Sequence, residues 1–374
     1  MSAGVARRER NCAAPGVAGG GRARTAGLLT AGLFTAGLVT VAWVAGPVSP
    51  ARADETGAVA PPRTQCQITD PRLPEVSGLV VSADGTMLTM NDGGESVDLY
   101  VLDATCQVTA VHSTAIDPYD PEDLALGTDG TVWFADTGDN RTDRATVALI
   151  ALRPDGSSGV YRFTYPDGPH DAEALLLAPD GTPYIVTKEV LGASHVYRPA
   201  AALDEHAPVA LVDVAAVNMT LTNTPGGPVG RASQLLVTGG AVAADGHALA
   251  LRTYTDAYVW PLTGSDVPAA LATPPVRIPL PESPQGEAVS FSTDGASLVV
   301  ASEGLPSAVT VVPIPTQTPA APAAAKDLLA GVLPDENPHG VPLWAAVAVA
   351  VAVASTALWV IGRVRRRQSS RPVR

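Results

Sequence analysis

Basic side chains are scarce in the central part of this 374-residue chain. The chain has only two lysines, Lys188 and Lys326, and residues 54–362 carry twelve Lys and Arg against 36 Asp and Glu, a formal net charge of −24. Such a surface repels nucleic acid and anionic lipid and attracts cations or basic partners, although solubility alone would also explain the surplus. We therefore expect no nucleic-acid partner.

Familiar catalytic motifs are missing as well. The chain has no GxSxG elbow, no Walker A sequence and no GxGxxG loop, which argues against a serine hydrolase or a nucleotide-binding enzyme. It also lacks an EF-hand loop, so a cation site would have to be assembled from separate segments. Of six histidines, only His170 adjoins the acidic positions of the hairpin repeat described below, and a lone histidine beside an acid is more often a surface residue than a general base.

The N-terminal part has the pattern of an export signal. Five arginines precede an apolar run at 26–46, and Ala51-Arg52-Ala53 then resembles a cleavage site. The pattern predicts a signal peptide at 1–53, cleaved after Ala53, with an uncleaved signal anchor as the alternative.

The C-terminal part predicts a membrane anchor. Residues 341–362 carry no charge over 22 positions, which is long enough to cross a bilayer, and six arginines follow in 363–374. A buried core helix is the alternative. We predict a Pro/Ala-rich stalk at 313–340, one transmembrane helix at 341–362, a cytoplasmic basic tail at 363–374, and an ectodomain outside the cytoplasm.

Cysteines are few. Cys12 lies in the predicted signal peptide, which leaves Cys66 and Cys106 as an even pair in an oxidising compartment. We predict a disulfide between them, since neither has a neighbouring Cys or His at metal-ligand spacing.

The region from 54 to 312 contains a repeat. Each unit has an apolar run, an Asp-Gly turn and a second apolar run, a strong signal for a β-hairpin. The five units are SGLVVSADGTMLTMND (77–92), EDLALGTDGTVWFADT (122–137), EALLLAPDGTPYIVTK (173–188), TGGAVAADGHALALRT (238–253) and EAVSFSTDGASLVVAS (287–302). Weaker strand patterns follow most hairpins, and units of four strands at this spacing predict an all-β fold, a β-propeller of five or six blades. A β-sandwich is the alternative.

Two details bear on the number of blades. The long interval between the third and fourth turns contains LTNTPGGPVGR (221–231), which is either a sixth blade or an insertion. The segment TQCQIT (64–69) echoes ATCQVT (104–109), an outer-strand pattern. We expect 64–69 to close the ring by completing the last blade.

Polar residues recur at fixed distances from the turns. Seven residues before each turn aspartate stand Ser77, Glu122, Glu173, Thr238 and Glu287, and further acids stand seven to ten residues after it. Because a hairpin returns on itself, both sets lie at one end of the blades, at one mouth of the central channel. A ring of acids repels itself unless it is neutralised, and Ca²⁺ takes six to eight oxygen ligands. The predicted ligands are Glu75, Asp92, Glu122, Asp136, Glu173, Glu189, Glu287 and Glu303. Strand capping and pairing with arginines are the alternative roles for these acids.

Parts of the repeat resemble a known family. The segments DPEDLALGTDGTVWFADTGDNRTDR, PHDAEALLLAPDGTPYIVTKE, LRTYTDAYVW and PQGEAVSFS look like motifs of a secreted actinobacterial propeller family, similar to the phytase-like ("esterase-like activity of phytase") propellers. The resemblance covers most of residues 66–312.

The resemblance implies a calcium-filled acidic channel mouth that grips phosphates with the help of basic side chains. The matching acids are Glu122, Asp136, Glu173, Glu189 and Glu287. Bases are short, with Lys188, Arg252, Arg141 and Arg144 as the candidates, and this departs from a phosphate-gripping site. We predict Lys188, Arg252 and His170 as ligand contacts.

Two classes of function follow. In the first, the chain is a membrane-anchored propeller that acts as a cell-surface binding or scaffold module for a small molecule or a protein, with Ca²⁺ at its mouth. In the second, it is a Ca²⁺-dependent phosphoesterase or esterase of phytase-like type. The fold alone does not decide between them.

Overall fold

A computed structural model describes residues 59–190 and 193–315. The predicted signal peptide, most of the stalk, the predicted transmembrane segment and the basic tail lie outside these residues. No helix within the described ranges is long and apolar enough to cross a membrane.

The described residues form an all-β propeller with five four-stranded blades. Blade 1 contains β2 (Val76–Val81), β3 (Met87–Asn91), β4 (Asp98–Leu102) and β5 (Val108–Ser113). Blade 2 contains β6 (Pro121–Leu126), β7 (Val132–Asp136), β8 (Val147–Leu152) and β9 (Ser158–Thr164). Blade 3 contains β10 (Ala172–Leu177), β11 (Pro183–Thr187), β12 (Ala193–Pro199) and β13 (Val209–Asn218).

The remaining blades come from the C-terminal half of the described residues. Blade 4 contains β14 (Val237–Val242), β15 (Ala248–Thr253), β16 (Asp256–Pro261) and β17 (Val276–Pro279), with the short helix α1 (Val267–Leu271) before its last strand. Blade 5 contains β18 (Gly286–Phe291), β19 (Ser297–Ser302), β20 (Ser307–Pro313) and, from the N-terminal side, β1 (Arg63–Ile68). Strands within each blade are antiparallel, and a short parallel pairing of β9 with β13 joins the outer edges of blades 2 and 3.

The first strand of each hairpin repeat lines the central channel. These inner strands, β2, β6, β10, β14 and β18, contact one another in a closed ring. The core consists of five hydrophobic clusters, one between each pair of neighbouring blades. Inner strands such as β10 are therefore buried along their whole length, which explains why their sequences are apolar at successive positions.

The ring closes as the sequence predicts. Strand β1 pairs antiparallel with β20, so an N-terminal strand completes the last blade. Cys66, in this closing strand, forms a disulfide with Cys106, in the turn between β4 and β5 of blade 1, with their Cα atoms 5.7 Å apart. The predicted disulfide is confirmed, and it ties the last blade to the first.

The interval between blades 3 and 4 contains an insertion. Residues 219–236 form a loop with one 3-10 helix, Gly230–Gln234, and add no strand. The buried Asp256 carboxylate of blade 4 fixes this loop by accepting hydrogen bonds from the hydroxyls of Thr222 (2.9 Å) and Thr224 (2.7 Å). Arg277 completes the cluster at 2.5 Å from Asp256.

The two ends of the inner hairpins have different geometry. At one end, the five Asp-Gly turns each place their glycine at a positive φ of 66° to 85°, a region that favours glycine. At the other end, every inner strand contains a register shift opposite its partner strand. We call this second end the mouth face.

We predict that the disulfide stabilises the closed ring. Replacing Cys66 and Cys106 together by serine should lower the free energy of unfolding by about 2–4 kcal/mol, because the bond restricts a long loop in the unfolded chain. Thermal denaturation of the double variant measures the effect, and the reduced wild-type chain provides the matched control. Equal melting temperatures for oxidised and reduced protein would contradict this role.

Candidate metal centre at the channel mouth

The irregular position in each inner strand is the residue that stands seven before the turn aspartate. The register shifts leave Glu122 and Glu173 unpaired in β6 and β10, and they place Ser77, Thr238 and Glu287 in the shifted parts of the other inner strands. A bulge changes the direction in which a side chain points and is common beside functional sites. The sequence spacing thus corresponds to one repeated backbone feature.

Side chains at this position differ in role. The Ser77 hydroxyl donates to the backbone carbonyl of Glu122, and the Thr238 hydroxyl donates to the carbonyl of Gly286 at 2.9 Å. Both bonds join one blade to the next. Glu122, Glu173 and Glu287 are instead buried carboxylates, each at most 5% exposed.

Asp123, the residue after Glu122, lies fully buried in the channel. One carboxylate oxygen accepts the backbone N–H of Leu124 at 2.8 Å. The other accepts N–H groups from Leu175 of blade 3 at 2.8 Å and Gly240 of blade 4 at 3.0 Å. Asp123 therefore links the inner strands of three blades below the acidic mouth.

Two groups of carboxylates at the mouth are compact enough to share a cation. Asp92, Asp120 and Glu122 each offer one oxygen within 4.8 Å of the others, and Glu122, Asp171 and Glu173 do the same. Calcium–oxygen distances of about 2.3–2.6 Å allow ligand oxygens on opposite sides of the ion to lie at this separation. Glu122 belongs to both groups and lies between them.

A glycine makes room for this arrangement. A Cβ atom on Gly138 would lie 2.2 Å from an oxygen of Glu122 and 2.6 Å from the carboxyl carbon of Asp120. The two carboxylates therefore lie against the bare backbone of Gly138, and any larger residue would displace them.

Two buried carboxylate oxygens at the mouth have no hydrogen-bond partner within the described residues. They are Oε2 of Glu173 and Oε2 of Glu287. The other oxygen of Glu173 contacts Lys188 Nζ, which also lies 5.2 Å from the centre of the Tyr254 ring. A buried polar atom without a partner is costly, and a bound cation would remove that cost at Glu173.

The mouth raises the pKa values of its acids. Burial, Asp120 and Glu303 raise the pKa of Asp92 to about 7, and Asp92 also hydrogen-bonds Asp120. Burial raises the pKa of Glu287 to about 7, and Lys188 opposes that rise. Burial raises the pKa of Glu122 well above its ordinary value, and Glu173 and Asp92 raise it further. These carboxyls therefore hold protons near neutral pH unless another positive charge replaces them.

Asp123 and Lys188 titrate for different reasons. Burial raises the pKa of Asp123 to about 8, although its three N–H donors favour the charged form. Burial alone would lower the pKa of Lys188, but the carboxylates of Glu173 and Glu287 and the Tyr254 side chain raise it above its usual range. Lys188 therefore stays protonated at neutral pH.

The segment from Asp136 to Arg144 is held by its own contacts. Asp136 accepts N–H groups of Tyr119 (3.1 Å) and Asp120 (2.8 Å) and pairs with Arg144 at 3.1 Å. Asp139 accepts the backbone N–H of Arg144 at 2.9 Å. Asp136 thereby positions Asp120 for the first carboxylate group, and both Asp136 and Asp139 lie outside the two groups.

Other predicted site residues lie around the mouth, outside the two groups. Glu75 is exposed, and Glu303 is partly buried beside the cavity described below. Glu189 contacts His170 at 3.4 Å, and His170 also contacts Asp167 at 3.1 Å.

Arg252 is almost fully buried. One of its guanidinium nitrogens donates to the carbonyls of Ala288 at 2.7 Å and Ala301 at 3.0 Å, so it joins blade 4 to blade 5. These contacts give Arg252 a structural role between the two blades.

Asp120 and Asp171 are the members of the two groups that were missing from the predicted ligands. Each stands two residues before the bulged glutamate, in the sequences Asp120-Pro121-Glu122 and Asp171-Ala172-Glu173. The repeated D-x-E pattern at the start of two inner strands is the signal that could have identified them.

No protein-family model matches the chain, and no curated protein matches it. Similar solved structures include a gluconolactonase from Xanthomonas campestris, 17% identical with a TM-score of 0.38, covering 64% of this chain and 72% of that one. A catalytically inactive virginiamycin B lyase from Staphylococcus aureus is 11% identical with a TM-score of 0.35, covering 69% and 76%. A PQQ-bound aldose sugar dehydrogenase from Streptomyces coelicolor is 12% identical with a TM-score of 0.36, covering 67% and 96%. Because these scores are low, the propeller assignment rests on the chain's own strand pairing.

We predict that acid stabilises the cation-free protein. The folded pKa values of Asp92, Glu287 and Asp123 are raised to about 7, 7 and 8, above unfolded values of about 4. Their contribution to stability is therefore complete below about pH 4 and is lost as pH rises through 7–8. In a chelating buffer, the melting temperature should fall between pH 5 and pH 9, and added Ca²⁺ should reduce this fall. A melting temperature that rises with pH would be inconsistent with the mouth described here.

We predict that Asp123 is essential for stability. An Asp123→Asn side chain cannot accept hydrogen bonds from all three N–H donors, so the free energy of unfolding should fall by about 3 kcal/mol. Chemical denaturation measures the change. Asp129→Asn, which removes an acid from the opposite end of blade 2, is the matched control and should cost less than about 1 kcal/mol. Equal losses in the two variants would rule out the bridging role.

Proposed function

We propose that this chain is an extracytoplasmic β-propeller that binds a divalent cation, most simply Ca²⁺, at its acidic mouth and acts as a binding module at the cell surface. The observation that carries the proposal is Glu122, which two compact carboxylate groups share. In this proposal, residues 341–362 anchor the propeller in the plasma membrane.

The donor set favours a hard cation. Every candidate ligand in the two groups is a carboxylate, and cations such as Ca²⁺ prefer oxygen ligands over nitrogen or sulfur. Glu173 supports the proposal, because its free oxygen is buried while its second oxygen holds Lys188. A cation would replace the protons that these acids otherwise retain near neutral pH.

A binding role agrees with how the basic side chains near the mouth are used. Arg252 donates to backbone carbonyls, Arg144 pairs with Asp136, and Lys188 pairs with Glu173. A phosphate-gripping site of phytase-like type would need such side chains to face the ligand. The resemblance to phytase-like propellers has no family match behind it.

A phosphoesterase or esterase role is the second candidate. Asp92 lies in the first carboxylate group, beside the proposed cation, and could act as a general base toward water. A bound cation would supply charge stabilisation for the developing oxyanion. Turnover of p-nitrophenyl phosphate or p-nitrophenyl acetate that Asp92→Asn abolishes would favour this role over the first.

The proposed cation site makes a direct prediction. Isothermal titration of the purified full chain with Ca²⁺ should show binding, and Glu122→Gln or Glu173→Gln should weaken it by at least about tenfold, since each change removes a charged ligand. Glu122→Gln should have the larger effect because Glu122 belongs to both groups.

Asp245→Asn is the control for this titration, because it removes an acid from an Asp-Gly turn at the opposite end of the channel. It should leave Ca²⁺ affinity unchanged. The proposal fails if the wild-type chain binds no Ca²⁺, or if the control weakens binding as much as the mouth variants.

A further inference from the structure

Exposed apolar side chains are concentrated on the mouth face. Among the described residues, Val59 is the one exposed large hydrophobic side chain outside this face. The others lie on loops at the mouth end of the blades, and we call them the apolar rim: Tyr119, Val190, Leu221, Val229 and Leu305. These side chains lie on separate loops around the mouth, so a partner that covers this face would bury several of them at once.

Buried contacts hold three of the five rim residues in place. Leu221 and Val229 lie on the insertion that Asp256 holds through Thr222 and Thr224. The Tyr119 ring stacks under the Arg144 guanidinium at 4.3 Å. Tyr119, Leu221 and Val229 are therefore held in place before a partner binds, which reduces the entropic cost of binding.

A cavity opens beside the rim, between the loops of blades 4 and 5. Its volume is about 390 Å³, enough for one long side chain with its neighbouring backbone. Pro281, Pro284, Leu305 and Pro306 contribute apolar walls, and Glu282 and Glu303 contribute carboxylates. Arg252 also borders the cavity, but its guanidinium donates to backbone carbonyls of blade 5, so the two carboxylates outnumber this one positive charge. A cavity that combines apolar walls with acids suits a lysine or arginine side chain, which has an apolar stem and a charged end.

The charge of the mouth face points in the same direction. When fully ionised, eight acids at the mouth carry eight negative charges, whereas Lys188, Arg252 and two divalent cations would carry six positive charges. These acids are Glu75, Asp92, Asp120, Glu122, Asp171, Glu173, Glu287 and Glu303. The field outside the mouth therefore remains negative even when cations are bound. It attracts basic groups and repels both anionic lipid and the mouth face of a second copy.

We propose that the mouth face docks a partner polypeptide whose basic side chain enters the cavity at Glu282 and Glu303 while flanking apolar residues cover the rim. This proposal rests on the binding role proposed above and names its partner class, but it does not require the cation.

An array of synthetic nonapeptides tests the proposal. Each peptide carries a central arginine with neighbours drawn from Leu, Val, Tyr, Ser and Gly, and a matched array carries a central glutamate. The full chain should bind arginine-centred peptides with apolar neighbours, and fluorescence anisotropy of the tightest peptide should show weaker affinity at higher salt. Glu282→Gln and Leu305→Ser should each reduce affinity by about tenfold, which is the effect of losing one central contact.

Val59→Ser is the matched control, since it removes a similarly exposed valine outside the mouth face. It should leave peptide affinity unchanged. The proposal is overturned if glutamate-centred peptides bind equally well, if Leu305→Ser binds like the wild type, or if phosphatidylglycerol vesicles bind and the peptides do not. It is also overturned if the chain dimerises through the rim in sedimentation and binds no peptide.

The measurements are made in Ca²⁺ and in chelator, alongside direct Ca²⁺ titration of the same variants. If the chain binds peptide but shows no affinity for Ca²⁺, the docking proposal is supported and the cation proposal is wrong. Ca²⁺ binding without any peptide preference would leave the cation site and overturn the docking surface.

Discussion

The buried carboxylate of Asp123 is the contact on which the geometry of the mouth depends. It accepts N–H groups from the inner strands of blades 2, 3 and 4. Other hydrogen bonds between blades, such as those of Ser77, Thr238 and Arg252, each join only two neighbouring blades. Because Glu122 precedes Asp123 in the chain, this contact also determines where the shared carboxylate of the mouth lies.

Electrostatic repulsion above Asp123 is only partly compensated by the chain itself. Lys188 and Arg252 contribute positive charge, and the remaining acids near neutral pH hold protons or need another cation. Protons, metal cations and basic side chains of a partner are therefore all attracted by the same negative charge at the mouth. The apolar rim lies around this field, so a partner that combines positive charge with apolar residues satisfies both features of the face.

Much of the fold was predictable, because each blade repeats a local pattern. The Asp-Gly turns, the apolar runs on either side of them and the echo between 64–69 and 104–109 are local signals. The strand pairing confirms the blades and the closing strand, and the bond between Cys66 and Cys106 confirms the predicted disulfide. The interval around 221–231 could not be interpreted in this way, since its role depends on contacts with Asp256, a residue that follows it by more than twenty positions.

The sequence by itself determined the repeat, the end of each hairpin at which acids gather, and the pairing of the cysteines, because period, turn chemistry and residue count are properties of the chain. Tertiary structure decided which acids meet. Asp120 and Asp171 lie close to Glu122, whereas Asp136 pairs with Arg144 and Arg252 donates to backbone carbonyls. Such choices depend on bulges and on distances between blades that are far apart in sequence, and a few ångströms decide whether a carboxylate faces a cation or a neighbouring strand.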